Sequence, residues 1–115
     1  MPFIQVHTAQ KLDSTQKLAI KAGLGEAITL IPNKAEANLM MVISDGVDLY
    51  FRGEEKISAA FVDVRLKDET AFDAKAAFTE AVFNLLEKEA GIAKDDTYVN
   101  IGEYDAWGSR GVLKK

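Results

Sequence analysis

The chain has 115 residues, 48% of them hydrophobic, and a formal net charge of −4 at pH 7. This size predicts one domain spanning residues 1–115, and the interspersed charges argue against a nucleic-acid partner. No cysteine and a single histidine exclude disulfides and thiolate chemistry and disfavour a metal site. The longest apolar run, "NLMMVIS", is too short to span a bilayer, so we expect no membrane partner and a cytoplasmic location, with non-classical export left open.

The first half of the chain predicts strand, helix, strand and short strand. Residues 2–8, "PFIQVHT", are β-branched and aromatic, and Pro2 suits the first position of a strand because proline gives no N–H to the ladder. A helix follows, begun by Asp13 or Ser14 and ended by Pro32 and Asn33. Its predicted buried face consists of residues at helical spacing: Ile20, Leu24, Ala27 and Ile31.

Residues 39–44 form the second predicted strand. Asp45-Gly46 is a hairpin signal that leads into the short strand "VDLYF", which Arg52-Gly53 would end.

The second half repeats this order at an offset of roughly 55 to 60 residues, as a duplicated unit would. "ISAAFVDVRL" predicts a strand, residues 69–91 a helix that Gly91 ends, and "TYVNIGEY" a final strand. The predicted core stripe of this helix is Phe72, Ala76, Thr79, Phe83, Leu86 and Ala90.

Two β-α-β units predict an α+β fold, a four-stranded mixed sheet with both helices on one face. The other face is apolar on alternate residues and has no third helix to cover it, so we expect self-association. "VDLYF" and the tail "WGSRGVL" are extended pieces that could pair with a neighbour's sheet edge.

Several features together resemble the macrophage migration inhibitory factor (MIF) family of the tautomerase superfamily. They are the Met1-Pro2 start, the duplicated plan, Lys34 after the first helix, and "TYVNIGEYDAWG" with "GIAKDD" before it. The resemblance implies a homotrimer with three pockets at subunit interfaces, each built around an amino-terminal proline. It also implies cofactor-independent keto–enol tautomerisation of phenylpyruvate-like 2-oxo acids.

The resemblance makes Pro2 the catalytic residue, a general acid/base once Met1 is removed. Burial beside cations lowers the pKa of an α-amino group, and a neutral amine can take a proton next to a ketone. If Met1 is retained, the Pro2 nitrogen is an amide and has no basicity. Lys34 would bind the substrate carboxylate and help lower that pKa, although a lysine at this junction could also serve solubility alone.

The remaining predicted substrate-binding residues each have a structural alternative. Arg65 is either a second carboxylate contact or an exposed strand-end arginine. Tyr98 and Asn100, which share a strand face, would come from the neighbouring subunit, or else pack and cap. Trp107 either walls the pocket or fastens the tail.

Two other functions compete with tautomerisation. One is a non-enzymatic, cytokine-like binding protein. The other is a sister reaction of the superfamily, decarboxylation or hydration, which needs a pair of pocket arginines that the spacing of Arg52, Arg65 and Arg110 does not suggest. The thiol chemistry of the cytokine's Cys-x-x-Cys motif is excluded, because Ile57-Ser58-Ala59-Ala60 stands in its place.

Overall fold

The computed structural model describes all 115 residues and has two helices packed on one face of a four-stranded sheet. The helices are α1 (Ser14–Ala27) and α2 (Phe72–Ala90). The sheet strands are β1 (Pro2–Thr8), β2 (Met40–Ser44), β5 (Ala60–Lys67) and β6 (Thr97–Tyr104). Four short strands form two hairpins: β3 (Tyr50–Phe51), β4 (Glu54–Glu55), β7 (Trp107–Ser109) and β8 (Val112–Lys114). Neither helix combines the length and the apolar character needed to cross a membrane.

The sheet has the strand order β2-β1-β5-β6. β1 runs parallel to β2 and β5 runs parallel to β6, because each pair is joined by a helix that returns the chain to the same edge. The two β-α-β units meet where β1 and β5 pair antiparallel. The predicted α+β fold of duplicated units in a mixed sheet is confirmed.

The core lies between the sheet and the helices. β1 and β5 alternate buried and more exposed residues, so Ile4, Val6, Val62 and Val64 face the helices and are fully buried. The predicted face of the first helical segment is confirmed, since Ile20, Leu24, Ala27 and Ile31 are all buried. The α-helix itself ends at Ala27, before the predicted stop, and a 3₁₀ turn over Ile28–Leu30 continues it.

Asp13 begins α1 through a capping box. Its side chain accepts a hydrogen bond from the Gln16 N–H at 2.7 Å, and the Gln16 side chain accepts one from the Asp13 N–H at 3.0 Å. Two orphan backbone donors at the helix start are thereby satisfied. The predicted cap is confirmed at Asp13.

The predicted core stripe of α2 was largely wrong. The fully buried residues are Phe78, Val82 and Leu86, whereas Phe72 is 77% exposed. Phe72 is the first residue of the helix, beyond the edge of the core, so its aromatic character did not indicate burial. The predicted end of the helix is confirmed, because Gly91 adopts a left-handed φ of 64°.

The predicted hairpin at Asp45-Gly46 was also wrong. After Gly46 the chain leaves the sheet, because the N–H groups of Gly46 and Val47 donate to the carbonyls of Gln10 and Thr8. Asp45 instead binds the start of α1, where its carboxylate accepts from the Leu12 N–H at 2.8 Å.

Three further boundaries differ from the sequence prediction. The short strand predicted from Val47 begins only at Tyr50; Arg52 and Gly53 end it as predicted, and with positive φ they form the tight turn between β3 and β4. The strand predicted from Ile57 begins at Ala60, and Ile57 is 89% exposed. The tail is not a single extended piece but the β7–β8 hairpin, turned at Arg110-Gly111.

Candidate functional site

A cavity of about 890 Å³ opens beside the amino terminus, on the sheet face that the helices leave uncovered. The register of the β-strands explains the position of this cavity. Phe3 pairs with Arg65 on one side and with Met40 on the other, so one cross-strand row forms the cavity floor. Pro2 is opposite Leu66, and this antiparallel pairing brings the chain's first residues to the carboxyl end of β5.

The carboxyl-terminal hairpin forms the facing wall. Trp107, Arg110 and Lys114 line the cavity from β7, the turn and β8. The Trp107 ring lies 6.4 Å from that of Tyr104, the last residue of β6, which also lines the cavity. The chain reverses direction between β7 and β8 because Arg110 and Gly111 both adopt positive φ, at 52° and 83°.

The Met1 α-amino group lies at the entrance to this cavity, and its pKa is lowered from the ordinary value of 8.0. Burial is the largest cause, followed by the Lys34 ammonium beside it and then by that of Lys67, while Asp68 opposes the shift. The Lys34 ammonium is held near the amine by a hydrogen bond to the Lys67 carbonyl oxygen at 3.1 Å. Lys34 does not itself line the cavity.

Sequence reasoning missed Lys67, which is the second lysine near the amine. Its side chain is only 12% exposed, and its ammonium lies 2.9 Å from an Asp68 carboxylate oxygen. The strand register brings Lys67 there, because Pro2 pairs with Leu66 and the residue after Leu66 then lies near Met1; the sequence alone carries no signal of this.

The charged residues that line the cavity are all cations: Arg65, Arg110 and Lys114. Arg65 is partly neutralised, because its guanidinium donates to the Asp63 carboxylate from Nε at 3.3 Å and from Nη2 at 3.2 Å. The expectation that no two arginines share the pocket was wrong, since the hairpin folds Arg110 back toward the end of β5.

The fold resembles that of known proteins. MIF2 of Leishmania major superposes with a TM-score of 0.89 at 26% sequence identity, over 98% of this chain and 97% of that one. A MIF-like protein of Entamoeba histolytica gives 0.84 at 18% identity over 97% of both chains. The chain therefore has the fold of the MIF family of the tautomerase superfamily.

A wider superfamily member has a similar fold. A fused 4-OT, described as a symmetric trimer, matches with a TM-score of 0.84 at 22% identity over 96% of this chain and 94% of that one. No family model matches the sequence, and no curated protein matches it either. Enzymes of the tautomerase superfamily are among the structural neighbours of this chain.

Two of the residues singled out from the MIF-family motif lie away from the cavity. Tyr98 is at the opposite end of the open sheet face, 60% exposed, with its ring edge-on to Phe51 at 4.9 Å between centroids. Asn100 donates to Asp63 at 3.2 Å. Within one chain the structure therefore brings together Pro2, Arg65 and Trp107, with Lys34 behind Met1, but neither Tyr98 nor Asn100.

The chain offers no constellation for metal binding. Nowhere do three or more His, Asp or Glu side chains come together as potential ligands. What the cavity offers is an amine of lowered pKa, several cations and an apolar floor.

Proposed function

We propose that this chain belongs to the MIF family and is a cofactor-independent keto–enol tautomerase of small 2-oxo acids, with the Pro2 nitrogen as general acid/base after Met1 is removed. The observation that carries the proposal is the amino terminus itself. Its pKa is lowered by burial and by Lys34 and Lys67, and it opens onto a cavity large enough for a small-molecule ligand. A tautomerase-type activity also agrees with the enzymes among its structural neighbours.

Removal of Met1 would transfer the amino group to a residue that is already buried. Burial disfavours the protonated amine, so we expect the Pro2 pKa to lie below the ordinary α-amino range of about 7.7 to 8.0. Methionine aminopeptidases cleave before small residues, proline included, and their cytosolic action fits the proposed cytoplasmic location.

In this mechanism the neutral Pro2 nitrogen takes a proton from C3 of the 2-oxo acid. The electron pair of the broken C–H bond moves to the C2 oxygen as an enolate, and the protonated amine then delivers its proton to that oxygen. The reverse direction uses the same groups. Positioned acid–base catalysis of this kind contributes roughly 10² to 10⁴ in rate.

Lys34 would have two roles in this proposal. Its ammonium would bind the substrate carboxylate, and its charge would keep the amine neutral at pH 7. We expect Lys34→Ala to raise KM and also to move the acid limb of the pH–rate profile upward, because the amine loses a neighbouring cation. A Lys34 that served only solubility would change neither quantity.

We propose a single-domain homotrimer in which Tyr98 and Asn100 complete the neighbour's pocket. Three observations support this: both residues lie outside their own chain's cavity, Met40 and Tyr98 are exposed on the sheet face that has no cover, and the fused 4-OT neighbour is a trimer. Sedimentation should report three chains per particle. A monomer that is active would contradict this part of the proposal.

The test of the proposed function is the ultraviolet rate of enol-to-keto conversion of phenylpyruvate. The protein should be shown by intact mass to lack Met1, and Pro2→Ala should be prepared identically. Pro32→Ala is the matched control, because Pro32 is the other proline of the chain and its side chain is exposed.

We expect a rate well above buffer that falls at least about 10²-fold in Pro2→Ala and is unchanged in Pro32→Ala. No rate from the Met1-free protein would overturn the proposal and favour a non-enzymatic binding protein. Loss of carbon dioxide or addition of water to the substrate, without tautomerisation, would favour a sister reaction instead.

A further inference from the structure

We infer that the substrate is a 2-oxo acid with a second carboxylate, and that Arg110, which lines the cavity together with Arg65, is the residue that selects it. The inference rests on the proposed function, since it names the substrate class of the same cavity. The proposed proton transfer by Pro2 requires neither Arg110 nor a second carboxylate on the substrate.

The charge of the cavity carries the first step. Arg65, Arg110 and Lys114 line it, and no aspartate or glutamate does. Two of these cations are engaged: Arg65 with Asp63, and the Lys114 ammonium with the Ser109 hydroxyl at 2.7 Å. The exposed side chain of Arg110 makes no hydrogen bond or ion pair within the chain. A guanidinium in such a wall is suited to bidentate binding of a carboxylate.

The two hairpin turns of the chain have the same Arg-Gly sequence and the same backbone conformation. Arg52-Gly53 and Arg110-Gly111 both place arginine at positive φ, where Asn, Asp or Gly is normally preferred. Arg52 has a structural use: its guanidinium donates to the Asp95 carbonyl oxygen at 3.0 Å and stacks over Phe51. No comparable contact accounts for Arg110.

The third step is the separation of functions within the cavity. Lys34 and the amine lie at the β1 end, where the 2-oxo acid group must be bound, whereas Arg110 lies in the facing hairpin wall. Phe3, Met40 and Trp107 provide the apolar surface of the cavity. A substrate with one carboxylate leaves Arg110 without a counter-charge, and one with carboxylates at both ends engages both cationic groups.

The experiment compares dicarboxylates with matched monocarboxylates on the assembled, Met1-free protein. The substrates are the enols of oxaloacetate and of phenylpyruvate, and the binding probes are fumarate and crotonate, measured by calorimetry. The variants are Arg110→Ala, Arg110→Lys and, as the turn-matched control, Arg52→Ala. Sedimentation of each variant shows whether assembly is intact.

We expect wild type to prefer enol-oxaloacetate in kcat/KM and fumarate in affinity. Arg110→Ala should lose about 10- to 100-fold on the dicarboxylates and less than about 3-fold on the monocarboxylates. Arg110→Lys should recover part of the loss, because it keeps the charge but not the bidentate geometry. Arg52→Ala should leave the dicarboxylate-to-monocarboxylate ratio unchanged.

The outcomes separate the two proposals. Equal loss on both substrate classes, no preference in wild type, or disassembly of Arg110→Ala with equal loss in Arg110→Lys would overturn the inference and leave tautomerisation in place. Fumarate binding that depends on Arg110, without turnover of either enol, would overturn the proposed function and support a dicarboxylate site.

Discussion

Phe78 provides a strong test of the core, because it is the largest fully buried side chain and lies on the same helix as the exposed Phe72. Phe78→Ala removes a ring with no solvent exposure and leaves a cavity between α2 and the sheet. Substitutions of this kind destabilise by about 3 to 5 kcal/mol. Phe72→Ala, at 77% exposure, should change the free energy of unfolding by less than about 1 kcal/mol.

Urea unfolding at equal protein concentration measures both variants. With a slope of about 2 kcal/mol per molar urea, a loss of about 4 kcal/mol lowers the midpoint by about 2 M for Phe78→Ala. Phe72→Ala should move it by less than about 0.5 M. A Phe78→Ala midpoint within 0.5 M of wild type, at about the same slope, would refute the assignment of Phe78 to the core.

Three further predictions concern glycine and pH. Gly23→Ala should not stabilise α1 by the roughly 1 kcal/mol that alanine usually gains in a helix, because its methyl group would overlap Leu85; a higher urea midpoint would contradict this. Gly91→Ala should cost about 1 kcal/mol through its φ of 64° alone, since nothing lies within 4 Å; an unchanged midpoint would contradict that account. The pKa of Glu103 is lowered from 4.5, chiefly by Lys75. The stability that the ionised Glu103 carboxylate contributes is therefore present above pH 4.5 and is lost as the pH falls through the lowered pKa of the folded state. The difference in urea midpoint between wild type and Glu103→Gln should therefore shrink in acid. A difference that stays constant with pH would contradict this prediction.

Much of the fold could be predicted because the periodicity of the chain changes with each element. β1 was predicted with its observed bounds, and α1 with its cap at Asp13 and its buried face. The errors arose where a local signal competed with a distant partner. Asp45-Gly46 is a dipeptide that is common in hairpin turns, but here the Asp45 carboxylate accepts a hydrogen bond from the Leu12 N–H.

The candidate site was only partly predictable for the same reason. The amino-terminal proline and Lys34 were found through a motif. Lys67 lies near the amine only because of the strand register. Arg110 lines the cavity only because of the fold of the tail. Neither has a sequence signature, since a lysine at a strand end and an arginine in a turn are ordinary surface residues.

The pKa of the Pro2 amine is the quantity on which the account depends, and nitrogen NMR measures it directly. The chain has two prolines, so ¹⁵N-proline labelling of the Met1-free protein gives one titrating amine and one internal control, the amide nitrogen of Pro32. The account predicts a midpoint below about 7.7 that rises in Lys34→Ala. A midpoint at or above about 8.0, or one that ignores Lys34, would contradict it.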